Sequence, residues 1–172
     1  MATIFTLMAA GTVALNICLL FCIAMLFNKK WRDALRISVE AHGRLIIFIL
    51  VLGSVAGSLW IEYFANLPPC VLCWWQRIFM YPTLLISAIA IIKNTKFVDI
   101  ADYILALSLL GAAVALYQHL LQILPQGSLI PCSATDECAI RLVFEFGYIT
   151  LPWMALSVFA LFILIAALGR GK

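Results

Sequence analysis

The sequence predicts an all-α integral membrane protein, a four-helix transmembrane bundle plus one additional N-terminal transmembrane helix. Of its 172 residues, 66% are hydrophobic and 11% charged, with a mean hydropathy of +1.12. A soluble chain of this length cannot hide so much apolar surface, because most of its residues lie near water. The apolar residues fall into five runs, 4–27, 45–64, 74–92, 103–124 and 149–168. Each is near the roughly 20 residues that a helix needs to cross hydrocarbon. Within a bilayer, helices satisfy their own backbone hydrogen bonds segment by segment, so a helical bundle follows. Two parts are expected: residues 1–43, an extra N-terminal helix with a basic connector, and residues 44–172, the four-helix domain.

The net charge of +3 is small and scattered, which argues against nucleic acid as a partner. Its placement says more. Lys29, Lys30, Arg32, Arg36 and Arg44 lie between the first two runs, Lys93 and Lys96 between the third and fourth, and Arg170 and Lys172 in the tail. Only Arg77 and Arg141 fall on the other side. The positive-inside rule then puts the N-terminus outside, the C-terminus in the cytoplasm and the segments holding Cys70, Cys73, Cys132 and Cys138 outside. Disulfides persist in that compartment.

In the first run no basic residue precedes the apolar stretch and Lys29-Lys30 follows it, the reverse of a secretory signal. A retained helix is expected, with Cys18 and Cys22 read as small hydrophobes. Residues 28–43 are basic with Trp31, Leu35, Ile37 and Val39 interspersed, the pattern of a short amphipathic helix on the cytoplasmic face. The second run carries Gly53, Ser54, Ala56, Gly57 and Ser58, small residues that allow close helix approach. Glu62 near its outer end reads as an interfacial acid. Pro68-Pro69 stops that segment, since neither ring nitrogen can donate to a helix ladder.

Cys70-Val71-Leu72-Cys73-Trp74-Trp75-Gln76-Arg77 opens the third run. Two thiols in the first turn of a helix meet unpaired N–H groups and a partial positive charge, which favour thiolate. Arg77, four residues beyond Cys73, adds a fixed charge on the same face. The fourth run places Gln118, His119 and Gln122 in its outer third, where polar side chains face the bundle interior or a ligand. His119 is read either as satisfied by a neighbouring helix or as functional. The following loop carries Cys132 and Cys138, five residues between them, amid Gly127, Ser128, Pro131 and Ser133. That composition suits a mobile thiol pair, and the separation allows a small disulfide loop. Leu142, Val143, Phe144, Phe146 and Tyr148 are apolar enough to rest on the membrane surface.

Four external cysteines admit three readings. Zinc binding is disfavoured by the long interval between the pairs, so no metal is expected. Static stapling is a poor use for a Cys-x-x-Cys bridge, which closes too small a loop to gain much. Exchange of electrons between the pairs is preferred. With neither a dinucleotide fingerprint nor a haem-attachment motif, the terminal acceptor is expected to be lipid-soluble. Trp74, Trp75, Arg77 and His119 offer stacking faces and hydrogen bonds for a quinone ring.

The run Pro68-Pro69-Cys70-Val71-Leu72-Cys73-Trp74-Trp75-Gln76-Arg77, the four spans and the second Cys pair resemble the DsbB/BdbC family of membrane thiol:quinone oxidoreductases. The resemblance covers roughly 45–168. The close Cys132/Cys138 spacing and Phe146-Gly147-Tyr148-Ile149-Thr150-Leu151-Pro152 look like the shorter BdbC-type members. It implies reoxidation of an extracytoplasmic thioredoxin-fold thiol oxidase, DsbA/BdbD-like, with ubiquinone or menaquinone as acceptor. It implies that Cys132 and Cys138 meet the partner, Cys132 holding the mixed disulfide. Cys70 exchanges with that pair, Cys73 faces the quinone, and Arg77, His119 and Trp74 help to bind it. Residues 1–43 lie outside the family's core. A vitamin K epoxide reductase type of enzyme is disfavoured because its loop pair precedes the Cys-x-x-Cys. A disulfide-stapled membrane scaffold without turnover is the non-enzymatic alternative.

Overall fold

The computed structural model describes residues 2–123 and 143–170. Their regular structure is five helices: α1 (Ala2–Leu26), α2 (Lys29–Phe64), α3 (Val71–Ile92), α4 (Phe97–Ile123) and α5 (Leu151–Gly169). All five are long and apolar enough to cross a membrane, as the hydropathy predicts. Leu7, Phe21, Leu85, Ile89, Leu109 and Leu110 are exposed on the outer surfaces, the arrangement expected where lipid is the solvent.

The second helix corrects the sequence reading. Residues 28–43 do not form a short separate helix; they are the N-cap and first turns of an unbroken helix of 36 residues. Asn28 caps it by accepting from Lys30 N–H through its side chain. Lys, Arg, Ala, Leu and Glu dominate these turns and favour helix. Gly43, the one glycine there, is covered by the Phe97 ring rather than by a turn. At 1.5 Å per residue the helix is about 54 Å long, well beyond the roughly 30 Å of hydrocarbon, so its basic turns need not enter the apolar slab.

Glycine decides where the core closes. A Cβ on Gly111 of α4 would clash with the edge of the Phe159 ring of α5, so glycine is what lets these two helices meet. Phe159, Phe162, Ile104 and, from α2, Ile47 and Val51 are fully buried around this contact. At the far end the Phe97 ring fills the space above Gly43 of α2 and Gly169 of α5.

The bundle has two unlike ends. At one, Arg44 Nη1 donates to the Thr95 carbonyl at 2.8 Å and Arg170 pairs with Asp102. That end gathers Lys93, Lys96 and the basic turns of α2. At the other, α2 ends at Phe64, Asn66 turns the chain with φ 52°, and Cys70 opens α3. There too Glu145 and Ile149 form an isolated bridge around Phe146 (φ 52°) and Gly147 (φ 79°). Both φ are positive, as a type I′ turn requires. Val143 and Ile149 are buried, while Phe144, Phe146 and Tyr148 remain exposed.

Candidate functional site

The double proline delivers the chain to Cys70 in an extended conformation (φ −70°, ψ 169°), and Cys70 is the N-cap of α3. Its carbonyl accepts the first helical bond, from Trp74 N–H at 3.0 Å. Cys73 is therefore the third helical residue, the position whose side chain curls back toward the cap. The sulfurs lie 3.1 Å apart, with Cys70 Sγ donating to Cys73 Sγ. Cys70 is buried and Cys73 half-buried.

A glutamine from α4 completes this pair. Gln118 is 2% exposed, and its Nε2 donates to Cys70 Sγ at 3.2 Å and to Cys73 Sγ at 3.5 Å. Its Oε1 accepts from Gln76 Nε2 at 2.6 Å. Oε1 is held mainly by Gln76 and also lies 3.9 Å from the Cys73 thiol, while the amide N–H groups face both sulfurs. Hydrogen bonds of this kind are strongest when the acceptor carries charge.

Arg77 is 4% exposed yet charged, which requires partners. Its Nε donates to Ser58 Oγ and its Nη2 to the Ser58 carbonyl, both at 2.9 Å, and Nη1 pairs with Glu62. The Trp74 ring lies 5.2 Å from its Cζ, in cation–π range. Glu62, read from the sequence as an interfacial acid, is the counter-ion of this guanidinium.

Cys70, Cys73, Gln76, Arg77, Gln118 and Gln122 line one end of a cavity of about 530 Å³. The cavity runs on between α1, α2 and α5 past Ser58, Ser54 and Gly53 to Leu50, with Met8, Gly11, Thr12 and Leu15 of α1 opposite. It is large enough, and polar enough at one end, for a ring carrying two carbonyl oxygens. Gly53 does not serve close packing: a Cβ on it, or on Gly11, meets no described atom within 4 Å. These glycines make room.

The sequence-derived residues divide. Cys70, Cys73 and Arg77 meet at the cavity. Trp74 supports Arg77 without lining it. His119 turns away: Nδ1 shares a hydrogen bond with Thr150 Oγ1 at 2.9 Å, and its ring lies 4.7 Å from that of Trp153. Thr150 is the N-cap of α5 and accepts from Trp153 N–H, so His119 ties α4 to the start of α5. Cys132 and Cys138 lie outside the described residues. Sequence reasoning singled out neither Gln76 nor Gln118 as site residues. The available signal was three glutamines at membrane depth, Gln118 and Gln122 one turn apart and Gln76 beside Arg77.

A family model described as disulfide bond formation protein DsbB matches residues 40–169. Disulfide bond formation protein C of Bacillus subtilis (strain 168) is 34% identical over 126 residues, 73% of this chain and 90% of that protein. The SPbeta prophage-derived disulfide bond formation protein B of the same organism is 36% identical over 123 residues, 72% of this chain and 81% of its own length. A probable disulfide formation protein of Oceanobacillus iheyensis is 37% identical over 127 residues, 70% of this chain and 86% of that protein. No solved structure matches the chain significantly.

Proposed function

This chain belongs to the DsbB family of disulfide bond formation proteins, multi-pass membrane disulfide oxidoreductases, and from that premise we propose that it reoxidises an extracytoplasmic thioredoxin-fold thiol oxidase and passes the electrons to a membrane quinone. One observation carries the reading: two sulfurs 3.1 Å apart, a buried guanidinium and three buried amides share the polar end of a cavity among apolar helices.

The thiol steps balance as exchanges. A thiolate of the reduced partner attacks Cys132 of the Cys132–Cys138 disulfide, and Cys138 leaves as a thiolate. The partner's second thiolate then attacks the partner sulfur held in that mixed disulfide, Cys132 leaves as a thiolate, and the partner departs as a disulfide while the loop pair is left as a dithiol. That dithiol reduces Cys70–Cys73 through Cys70. Closing Cys70–Cys73 again gives up two electrons and two protons. A quinone, ubiquinone or menaquinone, supplies a two-electron, two-proton acceptor when bound.

The chain's own residues suit these roles. Cys73 sits in the first turn of α3, where unpaired N–H groups and the helix dipole favour a sulfur anion. Gln118 presents a donor to both sulfurs and Gln76 holds its amide in place. Arg77, fixed by Glu62 and Ser58, offers donors and charge to a carbonyl oxygen. Trp74 braces that guanidinium, and His119 acts through Thr150 on the position of α5. The basic groups gather at the end of the bundle opposite Cys70 and Cys73, which supports a cytoplasmic basic end and an extracytoplasmic Cys70–Cys73 pair.

Purified protein supplied with quinone and a reduced thioredoxin-like partner is expected to bleach the quinone absorbance as the partner is oxidised. Cys73→Ser is expected to abolish turnover. Full activity in that variant would overturn the mechanism.

A further inference from the structure

The family match begins at residue 40 and leaves α1 outside it. In the structure, however, α1 is part of the site. Met8, Gly11, Thr12 and Leu15 line the same cavity as Cys73 and Arg77. We infer that α1 is the tail-side wall of the carrier site, forming with α2 an apolar shaft that holds the isoprenoid chain of a quinone whose ring lies beside Cys73 and Arg77. The inference rests on the quinone reading above and deepens it.

The first support is the polarity of the cavity. Its thiol, amide and guanidinium lining comes from Cys70, Cys73, Gln76, Gln118, Gln122 and Arg77, all at one end. From there the α2 lining runs from Ile61 to Leu50, eleven residues and about 16 Å of helix. A ligand that fills both parts is polar at its head and hydrocarbon along its length.

Beyond Ser58, whose Oγ Arg77 engages at the polar end, the two remaining hydroxyls of the shaft do not spoil its apolar character. Thr12 Oγ1 donates to the Met8 carbonyl at 2.9 Å and Ser54 Oγ to the Leu50 carbonyl at 2.8 Å. Each hydroxyl is satisfied within its own helix, so the shaft asks for no hydrogen bond from its occupant.

The shaft is also hollow by composition. Gly11 on α1 and Gly53 on α2 face it, and a Cβ on either would meet no described atom within 4 Å. Glycine in a membrane helix usually brings a neighbour closer. Gly57, one turn from Gly53, does so, since a Cβ there would press on Met8. Gly11 and Gly53 instead leave open space in the cavity beside the point where α1 and α2 touch.

The test fills that space. Gly53→Phe and, separately, Gly11→Leu are made in the full chain. Binding of a polyprenyl benzoquinone and of the same ring without a tail is read by quenching of tryptophan fluorescence. The ratio of tailed to tail-less affinity is expected to fall about tenfold, the loss of roughly two buried methylene groups. Gly11→Leu, on a helix that contributes little to the core, carries the test if Gly53→Phe does not fold. A ratio unchanged in the folded variants, or a wild-type chain that does not prefer the tailed ligand, overturns the proposal. Reduction of the tail-less quinone by wild-type protein reports separately on the proposed function. A chain that reduces no quinone but loses tail preference on substitution would sink the function and leave the shaft standing.

Discussion

At the scale of single residues, the site turns on an amide. Gln118 reaches both sulfurs because its oxygen is engaged by Gln76, and both glutamines are buried. A hydrogen bond to a charged group is worth about 1.5–3 kcal/mol. Gln118→Leu is therefore expected to slow quinone-dependent turnover about tenfold to a hundredfold, measured as quinone bleaching alongside the alkylation rate of Cys73. Wild-type rates in both would remove Gln118 from the mechanism. His119 shows the converse. A histidine three residues before Gln122 reads in the sequence either as a group satisfied by a neighbouring helix or as a functional one, and one residue of offset on a helix is a rotation of 100°. That rotation takes His119 to Thr150 and Trp153, while Gln118 faces the cysteines.

At the scale of elements, each helix end has a local cause. Pro68 and Pro69 separate α2 from α3, and the resulting N-cap brings Cys70 and Cys73 together within one turn. Asn28 starts α2 and Thr150 starts α5, each accepting from a backbone N–H just inside the helix. The connection of α4 to α5 through Gly111 and Phe159 is a matter of shape alone. Gly111→Ala puts a methyl against the edge of the Phe159 ring, and overpacking of that kind costs about 1–3 kcal/mol. The variant is expected to unfold at a lower temperature in detergent, and pairing it with Phe159→Leu to recover most of the loss. An unchanged midpoint for Gly111→Ala would show that the helices separate freely there.

At the scale of the whole molecule, the two ends of the bundle are chemically distinct, and they belong on opposite sides of the membrane. In a chain whose native cysteines are replaced by serine, single cysteines at Lys96 and at Tyr63 test this with a membrane-impermeant maleimide. Intact cells are expected to label Tyr63→Cys, whereas Lys96→Cys reacts only after the membrane is opened. The reverse pattern would invert the orientation. Apolar length and composition were enough to give five helices, their approximate limits and their all-α class, because a bilayer leaves the backbone few alternatives, while the family was legible in the run Pro68–Arg77 and the second Cys pair. The Cys-x-x-Cys at a helix start was legible too, since two prolines and a three-residue separation are local facts. The sequence could not say that α2 continues unbroken through its basic turns, that Glu62 answers Arg77, or that Gln118 rather than His119 meets the thiols. Nor could it say that Gly53 leaves space instead of filling it. Those depend on the rotation and separation of neighbouring helices, which are set by how rings such as Phe97 and Phe159 fit against glycines far away in the chain.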